Sequence, residues 1–197
     1  MNHLIASVER ALKSGLPDRD DLAFLALTGK IESAVRDAVA LRLGKDLADS
    51  DPSLLVCREY KRCDLAILNS KGSAQLSIEF KDCISGDLSE SHKKTPIDDV
   101  ETDIKRDKCK SKNPLAVLTT KSVFGKFDVD RGIKYLGGKR GFKEFCSHEV
   151  EDQAERCQRF VHSRLNVLSA GFVTGTSRSL KVRIDWWLID GPAHLRQ

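Results

Sequence analysis

Several signatures are missing from this chain, and each absence removes a class of function. No apolar run approaches the ~18 residues that would span a bilayer, and the first residues lack the basic, apolar and small-residue order of a signal peptide. A soluble, intracellular protein is the expectation. The six cysteines (Cys57, Cys63, Cys83, Cys109, Cys146 and Cys157) include no C-x-x-C pair. Neither a zinc ribbon nor a disulfide framework is indicated, and the expectation is reduced, mostly buried thiols. The sequence has no G-x-S-x-G elbow, P-loop or dinucleotide fingerprint. His92, His148 and His162 have no spacing suited to a metal cluster or a nucleophile–base pair. No internal repeat or low-complexity tract appears.

What remains is a charged chain of 197 residues, 40% of them hydrophobic, with a formal net charge of +4. That length and apolar content suit a single domain spanning residues 1–197. The basic excess is concentrated in Lys105–Lys112, with five bases against one acid, and in Phe124–Ser147, with six against three. Such runs are either solvated faces or footprints for a polyanion.

Helical spacing of Leu4, Ile5, Val8 and Leu12 predicts a helix over His3–Ser14, stopped by Gly15-Leu16-Pro17. A second helical stretch covers Asp20–Leu27. Ile31, Ala34, Val35 and Ala38 predict an amphipathic helix over Lys30–Leu43 that ends before Gly44. Three strands follow as a meander, Leu54–Tyr60, Arg62–Asn69 and Ala74–Asp82. Ser85–Thr95 reads as a loop and Pro96 opens a surface helix to about Lys110. Leu115–Leu118 reads as a strand buried on both faces and paired parallel. Glu149–Leu168 predicts a helix, Gly171–Thr174 a short strand and Leu180–Asp190 a long one. Trp186 and Trp187 alternate faces there, which places at least one in the core. The fold class is α/β, a mixed central sheet flanked by helices.

The second and third strands carry the chemistry. A two-residue turn at Lys71-Gly72 pairs Ser70 with Ser73, Leu68 with Gln75 and Asp64 with Glu79. Cross-strand partners share a face, with Cβ atoms about 5 Å apart. Alternation adds Lys81 to the Asp64–Glu79 face and sends Cys63, Leu65, Ile67, Leu76, Ile78 and Phe80 to the other. A slip of one residue would mix the two faces, so the apolar pattern selects this register. Two acids held opposite one another repel, and a divalent cation would relieve that repulsion.

The order of pieces is a helix bearing Glu32, Asp64 on a strand, Glu79-Phe80-Lys81 on the next, then a helix and a buried strand. It resembles the PD-(D/E)XK nuclease superfamily, with its restriction-endonuclease-like core, over about residues 30–123. Cys63 stands where that motif's name has proline. The resemblance implies a Mg²⁺-dependent DNA endonuclease, with Mn²⁺ as a substitute ion. Asp64, Glu79 and the Phe80 carbonyl would hold the metal, helped by Glu32, and Lys81 would position or deprotonate the attacking water. It also implies duplex or branched DNA as partner and, by analogy, a homodimer. Hard Mg²⁺ prefers such oxygen donors, and a bound ion would favour the neutral Lys81 amine by like-charge repulsion.

Other readings stay open. Glu79 and Lys81 also fit an ordinary solvated strand face, and Glu32 suits the first turn of a helix through the dipole alone. Asp103 and Asp107, on the thin helix after the motif, are assigned to solvent. Lys134, Lys139, Arg140 and Lys143, interleaved with aromatics, are candidate contacts to nucleic-acid phosphates. Phe142 and Phe145 beside them also fit a small satellite core. The alternative function is a non-catalytic nucleic-acid-binding or assembly protein on the same fold.

Overall fold

A six-stranded mixed sheet carries helices on both faces. The computed structural model describes residues 3–89, 95–124, 150–177 and 180–191. The elements in chain order are α1 (His3–Ser14), α2 (Arg19–Thr28), α3 (Glu32–Ser50), β1 (Leu55–Arg58), a 3₁₀ turn (Tyr60–Arg62), β2 (Leu65–Leu68) and β3 (Ala74–Ile84). They continue with α4 (Ser85–Ser89), α5 (Pro96–Arg106), β4 (Pro114–Phe124), α6 (Val150–Arg164), β5 (Val167–Ser177) and β6 (Leu180–Asp190). The strand order is β1-β2-β3-β4-β6-β5. The β3–β4 pair is parallel, with α4 and α5 between its strands in the chain, and the other pairs are antiparallel. No described helix is long and apolar enough to cross a membrane.

Strand alternation sorts the core into two layers. Leu76, Ile78 and Phe80 of β3, Leu115 and Val117 of β4, and Trp186 and Leu188 of β6 bury against α1, α2 and α3. Ala116, Leu118, Trp187 and Ile189 bury on the opposite face with α4, α5 and α6. Both tryptophans are therefore core, 2% exposed each, one per layer.

The structure corrects several predicted boundaries. Helix α3 runs through Gly44 to Ser50, because Leu43 and Leu47 continue its buried stripe past the glycine. Ser85–Ser89 forms a short helix, and β4 continues from Leu118 to Phe124. Helix α6 stops at Arg164 and β5 begins at Val167, so Leu165 and Leu168 belong to the turn and the strand rather than to the helix. The hairpin turn is also longer than two residues. Asn69 Oδ1 accepts from the Lys71 and Ser73 amides, and the register shifts so that Leu68 faces Ala74, not Gln75.

Arg62 lies outside any strand. Glu59, Lys61 and Arg62 adopt left-handed backbone (φ 55°, 49° and 67°), which turns the chain between β1 and β2. The parity predicted for Cys63 fails there: its side chain packs with Ala66, Leu68, Ala74 and Cys109 instead of with Leu65. Cys63 and Cys109 are joined as a disulfide, which overturns the expectation of reduced thiols at these two positions. Cys83 and Cys157 are free and buried, and Cys57 is free and half-buried.

Candidate functional site

Strands β2 and β3 pair as Leu65↔Ile78, Ala66↔Ser77 and Ile67↔Leu76. Extending that register by one residue brings Asp64 level with Glu79. A Phe80 backbone N–H donates to Asp64 Oδ2 at 2.8 Å, so the Asp64 carboxylate is held against β3 beside Glu79. Both acids are half-buried. Burial first, then the charge of Asp64 and hydrogen bonding with it, push the Glu79 carboxyl up to about 8. At neutral pH this pair therefore holds a proton that a cation would displace.

Lys81 lies two residues further along the same face. Its Nζ is 2.8 Å from Asp103 Oδ2 of α5, with both side chains largely shielded from solvent. Burial opposes the Lys81 ammonium, yet the Asp103 hydrogen bond and the charges of Asp103, Glu32 and Asp64 outweigh it and raise its pKa above the ordinary value. Asp103 is thus not a solvent residue, and it works against the neutral amine that like-charge repulsion would favour. The sequence signal for it was the thin stripe of α5. With only Ile97, Val100 and Ile104 buried, the helix presses on the sheet along one line, and Asp103 sits beside that line.

Glu32 opens α3. The Ile31 amide just before it donates to Asp82 Oδ2 at 3.2 Å, and that oxygen also receives Lys121 Nζ at 2.9 Å. Lys121 Nζ donates as well to the Gly29 carbonyl at 2.7 Å, and the Thr119 hydroxyl donates to Asp82 Oδ1 at 3.3 Å. Asp82 and Lys121 face the α1–α3 layer and their side chains are 1% and 3% exposed. This buried pair fixes the start of α3 against the sheet, so it sets where Glu32 stands. Burial first, then the charge of Asp64, raises the Glu32 carboxyl above the ordinary range. Glu32 feels the site without completing it: Glu32, Asp64 and Glu79 do not bring one oxygen each within 4.8 Å of one another.

A cavity of about 490 Å³ opens beside these residues, past the middle of β3, lined by Glu32, Lys81, Asp82, Asp87, Asp99 and Lys121 among others. Its walls lie at the carboxyl ends of the parallel β3–β4 pair, where open α/β sheets bind ligands.

The oxygen-rich pair Asp64–Glu79 offers donors of the kind that a hard divalent ion takes. A second group, Cys63, Asp107 and Cys109, brings its ligand atoms within 4.8 Å of one another. Its sulfurs are bonded to each other and its carboxylate is engaged. Asp107 Oδ1 accepts from the Ser77 hydroxyl at 2.9 Å and the Cys109 amide at 3.2 Å, and Oδ2 accepts from the Ser111 hydroxyl at 3.0 Å. Asp107 is thus a structural clamp, also not a solvent residue. Lys134, Lys139, Arg140 and Lys143 lie outside the described residues. No protein-family model, no curated protein and no solved structure matches this chain.

Proposed function

We propose that this chain is a Mg²⁺-dependent DNA endonuclease built on a restriction-endonuclease-like core. The observation that carries the reading is the Asp64–Glu79 pair on adjacent strands, with Lys81 on the same face. Asp64, Glu79 and the Phe80 carbonyl would hold the ion. When bound, Mg²⁺ supplies charge relief on the phosphate and activation of the attacking water.

The protein's own groups have separable tasks. The Phe80 amide fixes the Asp64 carboxylate, leaving Oδ1 free of that bond. Asp103 holds Lys81 in place as an ammonium, which suits it to bind a phosphate oxygen or orient water and to stabilise the charge that develops during hydrolysis. Glu32 adds negative charge at the edge of the site and would assist the metal-holding pair electrostatically. The buried Asp82–Lys121 pair sets the helix that carries Glu32.

The test is cleavage of supercoiled and branched DNA with Mg²⁺ or Mn²⁺, comparing the wild type with Lys81→Ala. The reading expects a loss of at least about a hundredfold in rate. Activity that survives the substitution removes Lys81 from the mechanism. One observation favours the non-catalytic alternative: the short ion pair to Asp103 occupies the Lys81 ammonium. That reading expects salt-sensitive DNA binding and no cleavage by the wild type in any divalent metal.

A further inference from the structure

Among the described residues, the backbone outliers fall in one place. The non-glycine residues with positive φ, among those described, are Glu59, Lys61, Arg62 and Lys110. Left-handed backbone is disfavoured for a residue with a side chain, and such positions persist where the surroundings enforce them. Here the surroundings are explicit. The turn before β2 and the segment after α5 are joined by the Cys63–Cys109 disulfide, and Lys108 Nζ lies 3.5 Å from the Arg62 carbonyl. The Tyr60 hydroxyl donates to the Gly72 carbonyl at 3.1 Å, which fastens the turn to the β2–β3 hairpin.

Apart from Glu59, whose carboxylate pairs with Arg36, the exposed charges of the two fastened segments are basic. Lys61, Arg62, Lys105, Arg106, Lys108, Lys110 and Lys112 are all exposed. Asp107, the acid within the second run, is turned inward onto Ser77 and Ser111. Among the described residues no carboxylate lies within ion-pair distance of Lys61, Arg62, Lys108 or Lys110. An ordinary solvated face interleaves signs. This one gathers cations, turns Asp107 inward and leaves Glu59 paired with Arg36, although packing like charges together costs energy unless an anion shares them.

We propose that this stapled surface, centred on Lys61, Arg62, Lys108 and Lys110, grips the phosphate backbone of DNA and delivers it to Asp64 and Glu79. The proposal rests on the reading of the chain as a nuclease and names the surface that meets its substrate. Position supports it: Arg62 precedes Asp64 by two residues, and Lys108 follows Asp103, the partner of Lys81, by five. A rigid backbone with several exposed ammonium and guanidinium groups suits sequence-independent phosphate contacts, which orient a duplex without reading bases.

The experiment is fluorescence anisotropy with a short labelled DNA duplex. The parent is Asp64→Asn, so that no strand is cut, and the salt concentration is varied. Lys61→Ala/Arg62→Ala/Lys108→Ala in that background is compared with Lys45→Ala/Arg159→Ala/Lys181→Ala, which removes the same charge elsewhere. Each lost phosphate contact lowers the slope of log K against log salt by about 0.9. The proposal expects binding weaker by at least about tenfold and a slope shallower by about two to three for the first variant, with the second close to the parent. Circular dichroism and thermal unfolding establish that each variant is folded. Equal binding by the first variant and the parent, an equal loss in both triple variants, or no binding by the parent would overturn it. If the patch dependence holds while wild-type protein cuts no DNA, the nuclease reading fails alone. If cleavage occurs and binding ignores the patch, this inference fails alone.

Discussion

Replacing Lys121 with methionine removes the cation from a buried ion pair while keeping the side chain's length. Asp82 is left 1% exposed, still accepting from the Ile31 amide and the Thr119 hydroxyl, and the Gly29 carbonyl loses a 2.7 Å hydrogen bond. Stripping one partner from a buried pair costs about 3–5 kcal/mol, since the surviving charge stays desolvated. The nearby start of α3 offsets part of this through its dipole and its amide, which places the expectation near the lower end, about 3 kcal/mol. For a chain of this size that corresponds to a fall in Tm of roughly 6–12 °C. Urea unfolding with Asp82→Asn/Lys121→Met alongside provides the check. The double variant loses the orphaned charge, so it should recover at least about 1 kcal/mol relative to Lys121→Met. A single variant within about 1 kcal/mol of wild type, or a double variant equal to the sum of the singles, would refute the claim that this pair fastens α3.

Other outcomes follow from the same geometry. Gly44 lies inside α3 with open space around a built Cβ, so Gly44→Ala should raise stability by about 0.5–1 kcal/mol in urea unfolding. Gly171 faces Trp186, and a Cβ there would stand 2.5 Å from the indole, so Gly171→Ala should lower stability by about 1–3 kcal/mol. Reducing the Cys63–Cys109 bridge, which spans a sequence separation of 46, should lower stability by about 2–4 kcal/mol, read as the difference between oxidised and reduced protein in urea. The Glu79 pKa lies above its unfolded value, so its protonated form is favoured in the fold; this contribution to stability is present at low pH and is lost as pH rises toward about 8. If Mg²⁺ binds at the proposed Asp64–Glu79 site it displaces that proton, so its affinity should climb with pH up to about 8 and then level off, and Glu79→Gln should abolish the slope.

The hairpin was legible because most of its residues obey a two-residue period, so the apolar set Leu65, Ile67, Leu76, Ile78 and Phe80 could be placed on one face without tertiary information. That same pattern put Asp64 opposite Glu79. It failed where the backbone leaves the extended region. Nothing in the residue types of Glu59, Lys61 and Arg62 announces positive φ, so the reversal at Cys63 and the bond to Cys109 were hidden. The longer turn was hidden because Asn69 captures two amides, which a count of residues between strands does not reveal.

Long-range partners were the other gap. Asp103 and Asp82 look like any exposed acids in sequence, and their roles depend on Lys81 and Lys121, each on an element packed against theirs. A lysine within the otherwise apolar and hydroxylic run Leu115–Val123 was a usable signal, since a charge there requires a buried partner. Gly44 misled for a related reason: a glycine ends a helix only when the chain must turn, and here the stripe through Leu43 and Leu47 holds the helix against the core.

The most direct measurement is titration of the protein with Mn²⁺, with free ion followed by electron paramagnetic resonance. If Asp64 and Glu79 jointly bind a divalent cation, the wild type takes up one Mn²⁺ per chain at this site, Asp64→Asn and Glu79→Gln lose it, and Lys81→Met keeps it. Identical uptake by all four proteins, or none by the wild type, would contradict the account.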